Sequence, residues 1–416
     1  MTAWLRLLPF PLVGLALMAV RPDVFPPKDF PEYWAAAVVF ATGGDPYDGT
    51  QLLPVQRTVM GDHIHQATSL WTPPWTLPLY LPLGFLPFTV ARFVWIGLQL
   101  AMVFAAVELL WWTYRGISAP AGRGEDRLWF LPHLLALLFA PVFWLTLFGQ
   151  NTAFLLLGLA GFLHFRDTRP YLAGCFTALT AIKPHLLAVF GVLLILDVFR
   201  RDGWKVLLAG VGTLVAFSLV SLAVHRDIFD LFVAAVRRPA TPETVPLSEW
   251  DLPLIAHKLR HAIDPHRFWI QFVPCGMACG VMAGYKLRLG RRWCWRAQLP
   301  WVVLVSCLCA PYGGWVFDLV VLLVPVVAGA AGLMGTKTRG RPSLVLGESP
   351  FPFWPIALLL GYLLVSLWGF LIPSLQEPIW FTPAVTALFV GVRVCPDRGS
   401  PGAQASSATC TDPAVS

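Results

Sequence analysis

The sequence predicts an all-α polytopic membrane protein, a bundle of about 10–12 transmembrane helices with two long outer-face loops. Three observations carry this. First, of 416 residues 57% are hydrophobic and only 13% charged, where a soluble chain averages about 25% charged. Second, apolar runs of 17 or more residues recur, close to the roughly 20 a helix needs to cross hydrocarbon. Third, 19 Trp and 37 Pro suit interfacial belts and broken helices. Backbone groups in lipid must be satisfied internally, so the spans are helices.

The apolar segments fall near 4–20, 89–113, 128–148, 151–165, 170–182, 184–199, 204–224, 267–287, 299–311, 315–334, 353–371 and 379–393, two or three of them short enough to be re-entrant. The first has no small-residue cleavage site and no basic flank beyond Arg6, so it reads as a retained helix. With the N-terminus inside, inner loops collect Arg115, Arg123, Arg127, Arg166, Arg169, Arg200, Arg201, Lys205, Lys286, Arg288, Arg291, Arg292, Arg296, Lys337, Arg339 and Arg341. The outer connections 149–150, 312–314 and 372–378 carry no Lys or Arg, as the positive-inside rule asks. The formal charge of +7 is then a topology signal, not a nucleic-acid footprint. One transmembrane catalytic domain spans 1–393, with outer loop 1 at about 21–88 and outer loop 2 at about 225–266, and a Ser/Ala/Thr/Pro-rich cytoplasmic tail at 394–416 reads as disordered. No P-loop, Rossmann glycine pattern or HExxH is present, and the eight cysteines read as small core residues with no metal set around them. No cofactor is expected.

Within outer loop 1, the stretch from Lys28 to Asp48 gathers four carboxylates, two tyrosines and a tryptophan just beyond the first apolar run. Asp29 stands about nine residues past that run. A carboxylate there can take a proton from an attacking hydroxyl. It can equally cap a helix over Pro31–Phe40, with Pro31 in the first turn. Asp45 and Asp48 flank Pro46-Tyr47 in a Gly-Gly-Asp-Pro turn that stops that helix. Gln150 and Asn151 sit in a short outer turn, where amides can hold a sugar or cap the next helix. Lys183-Pro184-His185 interrupts an apolar stretch from Pro170 to Phe199. Pro184 breaks the helix, and a Lys near membrane depth costs about 2.5–3.5 kcal/mol, so it lines a cavity or snorkels to headgroups. A broken helix beside a cation suits a lipid phosphate. Asp318 enters an apolar run behind Pro311-Tyr312-Gly313-Gly314, either interfacial or cavity-lining. Outer loop 2 is basic, with His257, Lys258, Arg260 and His261 among others, and suits a phosphate or plain headgroup attraction.

In this order and spacing the pieces resemble the GT-C polytopic glycosyltransferases, and within them the GT87 family, also known as DUF2029, which includes polyprenol-phosphate-mannose-dependent mannosyltransferases. The matching stretches are Asp29-Phe30 through Tyr33-Trp34 to Gly43-Gly44-Asp45-Pro46-Tyr47, Pro73-Pro74, Gly149-Gln150-Asn151, Arg169-Pro170-Tyr171 through Lys183-Pro184-His185, and Pro311-Tyr312 through Phe317-Asp318, together covering roughly 25–335. Two departures stand out. Trp71-Thr72 precedes the two prolines where Tyr is usual, and Phe317 stands where a second acid, His or Tyr often precedes the Asp.

The resemblance implies an inverting transfer of a hexose, mannose by this reading, from a polyprenyl-phosphate carrier to a glycolipid, glycan or other hydroxyl acceptor at the outer face of the plasma membrane. It implies Asp29 as base. Lys183 and His185 are the candidates for the phosphate, and Tyr33, Asp45, Gln150, Asn151 and Asp318 for the remaining substrate contacts. The lipid phosphate is already a good leaving group, so one carboxylate suffices where glycoside hydrolysis needs two. Expected partners are the donor, the acceptor and membrane lipids. A lipid-linked sugar flippase, an arabinofuranosyl transferase of the same fold and an inactive relative remain alternatives.

Overall fold

The computed structural model describes residues 29–116, 128–200, 202–237, 254–333, 353–371 and 378–394. The first apolar run and the tail expected to be disordered, from 395 on, lie outside the described residues, as do Trp250 and Asp251 of outer loop 2. All described regular structure is helical. In chain order the helices are α1 (Phe30–Ala41), α2 (Gly49–Met60), α3 (Phe88–Arg115), α4 (Leu131–Leu137), α5 (Ala140–Phe148), α6 (Ala153–Phe165), α7 (Pro170–Ala178), α8 (Ala188–Leu196), α9 (Gly203–Val224), α10 (Ile228–Arg237), α11 (Ile255–Ile263), α12 (Val273–Leu289), α13 (Trp295–Leu308), α14 (Leu323–Leu333), α15 (Phe353–Leu371) and α16 (Phe381–Val394).

Three described helical stretches are long and apolar enough to cross a membrane: Phe88–Arg115, Gly203–Val224 and Phe268–Arg292. α4 and α5 make a fourth if their 60° bend belongs to one span. The expectation of about 10–12 spans counted apolar segments, and several of these are shorter helices, namely Ala153–Phe165, Pro170–Ile182, Ala188–Phe199 and Asp318–Leu333. The breaks have local causes. Pro141 starts α5, and Pro184 follows a 3₁₀ turn at Leu179–Ile182 where its ring forbids a continuing helix. Windows of α9 and Phe268–Arg292 are only 17% and 22% buried against protein, so their apolar surface is left to lipid. Cys294 departs from the reading of the cysteines as core residues: it is disulfide-bonded.

Residues 29–88, the described part of the expected outer loop 1, are ordered by packing. α1 begins with Pro31 in its first turn and buries Phe30, Tyr33, Ala35, Ala36, Ala37 and Phe40. Its small-residue face accepts the helical turns Leu77–Tyr80 and Leu81–Phe85, and Trp34 Nε1 donates to the Leu86 carbonyl at 3.1 Å. This places the start of α1 against the α5–α6 turn, where the site lies.

Candidate functional site

The site is a hydrogen-bonded chain of polar side chains from four separate stretches. It begins at Asp29. The Asp29 amide donates to the Phe148 carbonyl at 3.2 Å, and its carboxylate Oδ2 accepts from Gln150 Nε2 at 2.7 Å. Gln150 Oε1 in turn accepts from Tyr33 Oη at 2.8 Å and from Lys183 Nζ at 3.0 Å. Lys183 Nζ also donates to Asp318 Oδ1 at 2.7 Å and to Thr152 Oγ1 at 3.4 Å. Thr152 Oγ1 donates to Asp318 Oδ1 at 3.0 Å, and the Gly314 amide closes the chain on Asp318 Oδ2 at 3.0 Å.

Two turns aim these groups. Gly149 ends α5 in the left-handed region at φ +71°, a conformation costly for a side chain-bearing residue. A Cβ there would also lie 2.7 Å from Phe30 Cβ. Trp95 Nε1 holds the Gly149 carbonyl at 2.7 Å. This turn sends Gln150 one way and Asn151 the other. Neither amide caps α6; its preceding residue Thr152 makes no side-chain cap either. Gly313 and Gly314 make the second turn, at φ +77° and +83°. A Cβ on Gly313 would sit 3.1 Å from His185 Nε2 and 3.2 Å from Asp318 Oδ2, so those two side chains flank it. The His185 ring meets Tyr312 edge-on at 5.4 Å.

Burial divides the chain into a closed inner part and an open end. Asn151 and Asp318 are fully buried, and Gln150 and Lys183 are 6% and 9% exposed, while Asp29 is half-buried. Asp318 and Lys183 neutralise each other at 2.7 Å. Phe317 lends its ring to Lys183 at 5.4 Å. The position that lacks a second acid therefore carries a cation–π face for the ammonium. Asp29 makes no capping bond to α1. Its carboxylate serves Gln150 instead, so the capping alternative does not describe it.

Asn151 Nδ2 donates to Tyr80 Oη at 2.7 Å, while its Oδ1 is buried with no hydrogen-bond partner. Burial pushes the Tyr80 phenol up to about 12 and raises Tyr33 well above its ordinary value, so both phenols stay protonated. Asp45 is not brought into the chain. Its Oδ1 accepts the Tyr47 amide at 2.9 Å in the turn after α1, and Asp48 caps α2 through the Thr50 amide at 3.0 Å.

Sequence reasoning passed over two members. Thr152 joins Lys183 to Asp318. Glu32, one helical turn from Asp29, is 8% exposed. Burial, and then the Asp29 charge, raise its carboxyl well above the ordinary range. The three-residue spacing of Asp29 and Glu32 was the available signal, because it puts both acids on one helix face. Among the described residues no three His, Cys, Asp or Glu side chains group as a metal would need.

No curated protein and no solved structure matches this chain. The sequence profile of glycosyltransferase family 87 matches residues 71–311. That stretch holds Gln150, Asn151, Lys183 and His185; Asp29, Tyr33 and Asp318 join them through the hydrogen bonds above. With more than half of its 416 residues matched, the chain belongs to glycosyltransferase family 87.

Proposed function

We propose that this glycosyltransferase is an inverting, polyprenyl-phosphate-dependent hexosyltransferase, with mannose as the first donor sugar to test and Asp29 as its base. The acceptor hydroxyl oxygen attacks the anomeric carbon of the lipid-borne sugar. The bond from that carbon to the phosphate oxygen breaks, and polyprenyl phosphate leaves with the electron pair. The hydroxyl proton passes to the Asp29 carboxylate. The acceptor is a hydroxyl compound, with glycolipids and glycans as the candidates, met at the outer face of the plasma membrane.

The observation that carries this reading is the contrast in access between two carboxylates of one network. Asp318 is fully buried and paired with Lys183, so it cannot meet a substrate hydroxyl without breaking an ion pair. Asp29 is half-buried, and the Gln150 amide orients it. Gln150 is itself fixed by Lys183 and Tyr33. A carboxylate positioned by a rigid amide is what proton abstraction needs. The buried acceptor Asn151 Oδ1 supports a sugar contact, since a hydroxyl would satisfy it.

The test is transfer of label from radiolabelled polyprenyl-phosphate-mannose by membranes holding the wild type or Asp29→Asn, alongside polyprenyl-phosphate arabinose and glucose. Transfer by the wild type and not by Asp29→Asn supports both donor class and base. Equal transfer by both removes Asp29 from the chemistry. Transfer from only a pentose donor replaces mannose and keeps the mechanism.

A further inference from the structure

The stretch from Trp71 to Tyr80 has no part in the mechanism above, yet it is fastened to three pieces of the site. The Trp71 amide donates to the Glu32 carboxyl. Trp75 Nε1 donates to the Ala181 carbonyl at 3.0 Å, in the turn that leads to Lys183. The Tyr80 ring lies 5.0 Å from the Tyr33 ring, and Asn151 Nδ2 donates to its oxygen at 2.7 Å. Pro73 and Pro74 have no N–H to satisfy, and their carbonyls take side chains. Thr76 Oγ1 donates to Pro73 and, from α9, Ser221 Oγ donates to Pro74, both at 2.7 Å. Tyr47 Oη donates to the Thr72 carbonyl at 3.2 Å.

Counting hydrogens along this stretch fixes which way the Asn151 amide faces. Thr72, Thr76 and Tyr80 are buried, and each hydroxyl has one hydrogen to give. The Pro73 carbonyl has none, so its 2.7 Å contact takes the hydrogen of Thr76. The Thr76 and Thr72 oxygens lie 2.9 Å apart, and that contact then takes the hydrogen of Thr72. Tyr80 is hydrogen-bonded to both, so its own hydrogen goes to that pair and its oxygen is left to accept. Asn151 therefore meets Tyr80 with its NH₂ end, and Oδ1 is the end without a partner. The opposite orientation would strand two buried N–H groups, which are costlier to leave unmatched than one carbonyl oxygen.

The unmatched end dictates its ligand. A carbonyl oxygen only accepts, so it binds a hydroxyl and repels the oxygens of a phosphate. Asn151 is fully buried, whereas the acceptor substrate meets Asp29 at the half-buried end of the network. The sugar lying further in is the one being transferred. A buried polar group that only the right hydroxyl satisfies penalises any sugar lacking it.

We propose that Thr72 and Tyr80 are positioning residues for sugar recognition. Their hydrogen-bond chain turns Asn151 so that Oδ1 accepts from one hydroxyl of the transferred sugar, and this contact selects the sugar. The proposal rests on the glycosyl-transfer reading of the preceding section. It adds to that reading the group that reads a sugar hydroxyl and the two residues that aim it.

The experiment measures kcat/KM for the full chain in membranes with the polyprenyl-phosphate sugar that the wild type accepts, mannose first, and with its monodeoxy analogues. Each analogue lacks a different hydroxyl. For the wild type one analogue should fall at least about tenfold below the parent, as loss of a hydrogen bond that leaves a buried partner unmatched does. Tyr80→Phe and Thr72→Val should bring that one ratio toward unity by slowing the parent donor. The ratios for the other analogues should stay as they are, and Thr72→Ser should restore the discrimination. A purely structural role would slow parent and analogues alike and leave every ratio unchanged, which overturns the proposal. Thr72→Val keeps the side-chain shape and carries the test if Tyr80→Phe fails to fold. Equal rates for all analogues with the wild type assign the Asn151 oxygen to a buried water and also overturn it. No transfer by the wild type from any lipid-phosphate sugar overturns the preceding reading, and this one with it.

Discussion

Two buried Lys–Asp pairs lie at different places in this bundle, and they are built to different ends. Around Asp197 the carboxylate is saturated. Lys286 Nζ and Trp295 Nε1 reach it at 2.8 and 2.9 Å, Arg166 at 2.8 Å and Arg200 at 3.8 Å. Lys286 is sealed as well, bonded to the Leu193 carbonyl at 2.6 Å and 4.5 Å from the Trp295 ring centroid. Cations outnumber anions, every strong group is matched, and the cluster ties α6, α8, α12 and α13 together. Around Asp318 the ion pair is as short, at 2.7 Å, yet the chain continues outward through Gln150 to a half-buried second carboxylate. It also keeps an unmatched acceptor in Asn151 Oδ1. A closed cluster is what a fold needs; an open one with spare hydrogen-bonding capacity is what a ligand needs.

The sharpest way to break the comparison is to neutralise one acid from each cluster. Asp29→Asn should lower turnover by about 10²–10⁴-fold, the usual worth of a general base, with the melting temperature in detergent unchanged. Asp197→Asn should do the reverse, lowering the melting temperature while transfer per folded molecule stays close to wild type. If Asp197→Asn abolishes transfer in well-folded protein, the division between the clusters is wrong.

A smaller effect follows from Lys183→Met, which leaves Asp318 buried without its cation. Removing one partner of a buried pair costs about 3–5 kcal/mol, read as a lower melting temperature. Adding Asp318→Asn should restore much of it, because the uncompensated charge is gone. A double variant no more stable than Lys183→Met alone would show that the pair is not the stabilising unit. Gly149→Ala should cost about 1–3 kcal/mol from left-handed strain alone, and more where its Cβ meets Phe30 Cβ at 2.7 Å. An unchanged melting temperature would mean that the turn relaxes.

Much of the fold was legible because lipid imposes a simple code. Apolar runs had to be helices, and Pro184 had to break one. Helix length was harder to read, since hydropathy reports where a segment lies and not whether it is one straight span. The candidate site was legible in its strongest oddities: Lys183 within an apolar stretch, Asp318 behind two glycines, Gln150 and Asn151 in a turn without charge. Each was too costly to be idle. What could not be read was the pairing. Lys183 meets Asp318 across 135 positions and Asp29 meets Gln150 across 121, contacts made by tertiary packing, the second by the packing of α1 on the α5–α6 turn. Asp45 lies apart from the chain, on the Tyr47 amide, and a turn acid and a binding acid have the same local sequence. Glu32 escaped because its burial is tertiary: one position past Pro31 in a polar loop, nothing local marks it as covered.

Glu32 yields the smallest expected effect and the finest distinction between the clusters. Its carboxyl is raised by burial first and by Asp29 second, with Lys183 opposing. An acid with a raised folded value binds its proton more tightly folded than unfolded. Its contribution to stability is therefore complete below the unfolded value near 4.5, and is lost as pH rises toward the raised folded value. Glu32→Gln removes that loss. The variant should melt like wild type in acid and at a higher temperature than wild type in mildly alkaline buffer. The same substitution should leave Asp29 as the one ionised acid of the pair, so transfer should persist. Were Glu32→Gln to melt lower than wild type at every pH, the carboxyl would be a satisfied structural acceptor of the Trp71 amide. The open cluster would then hold one acid with chemistry to do, not two acids set apart by their surroundings.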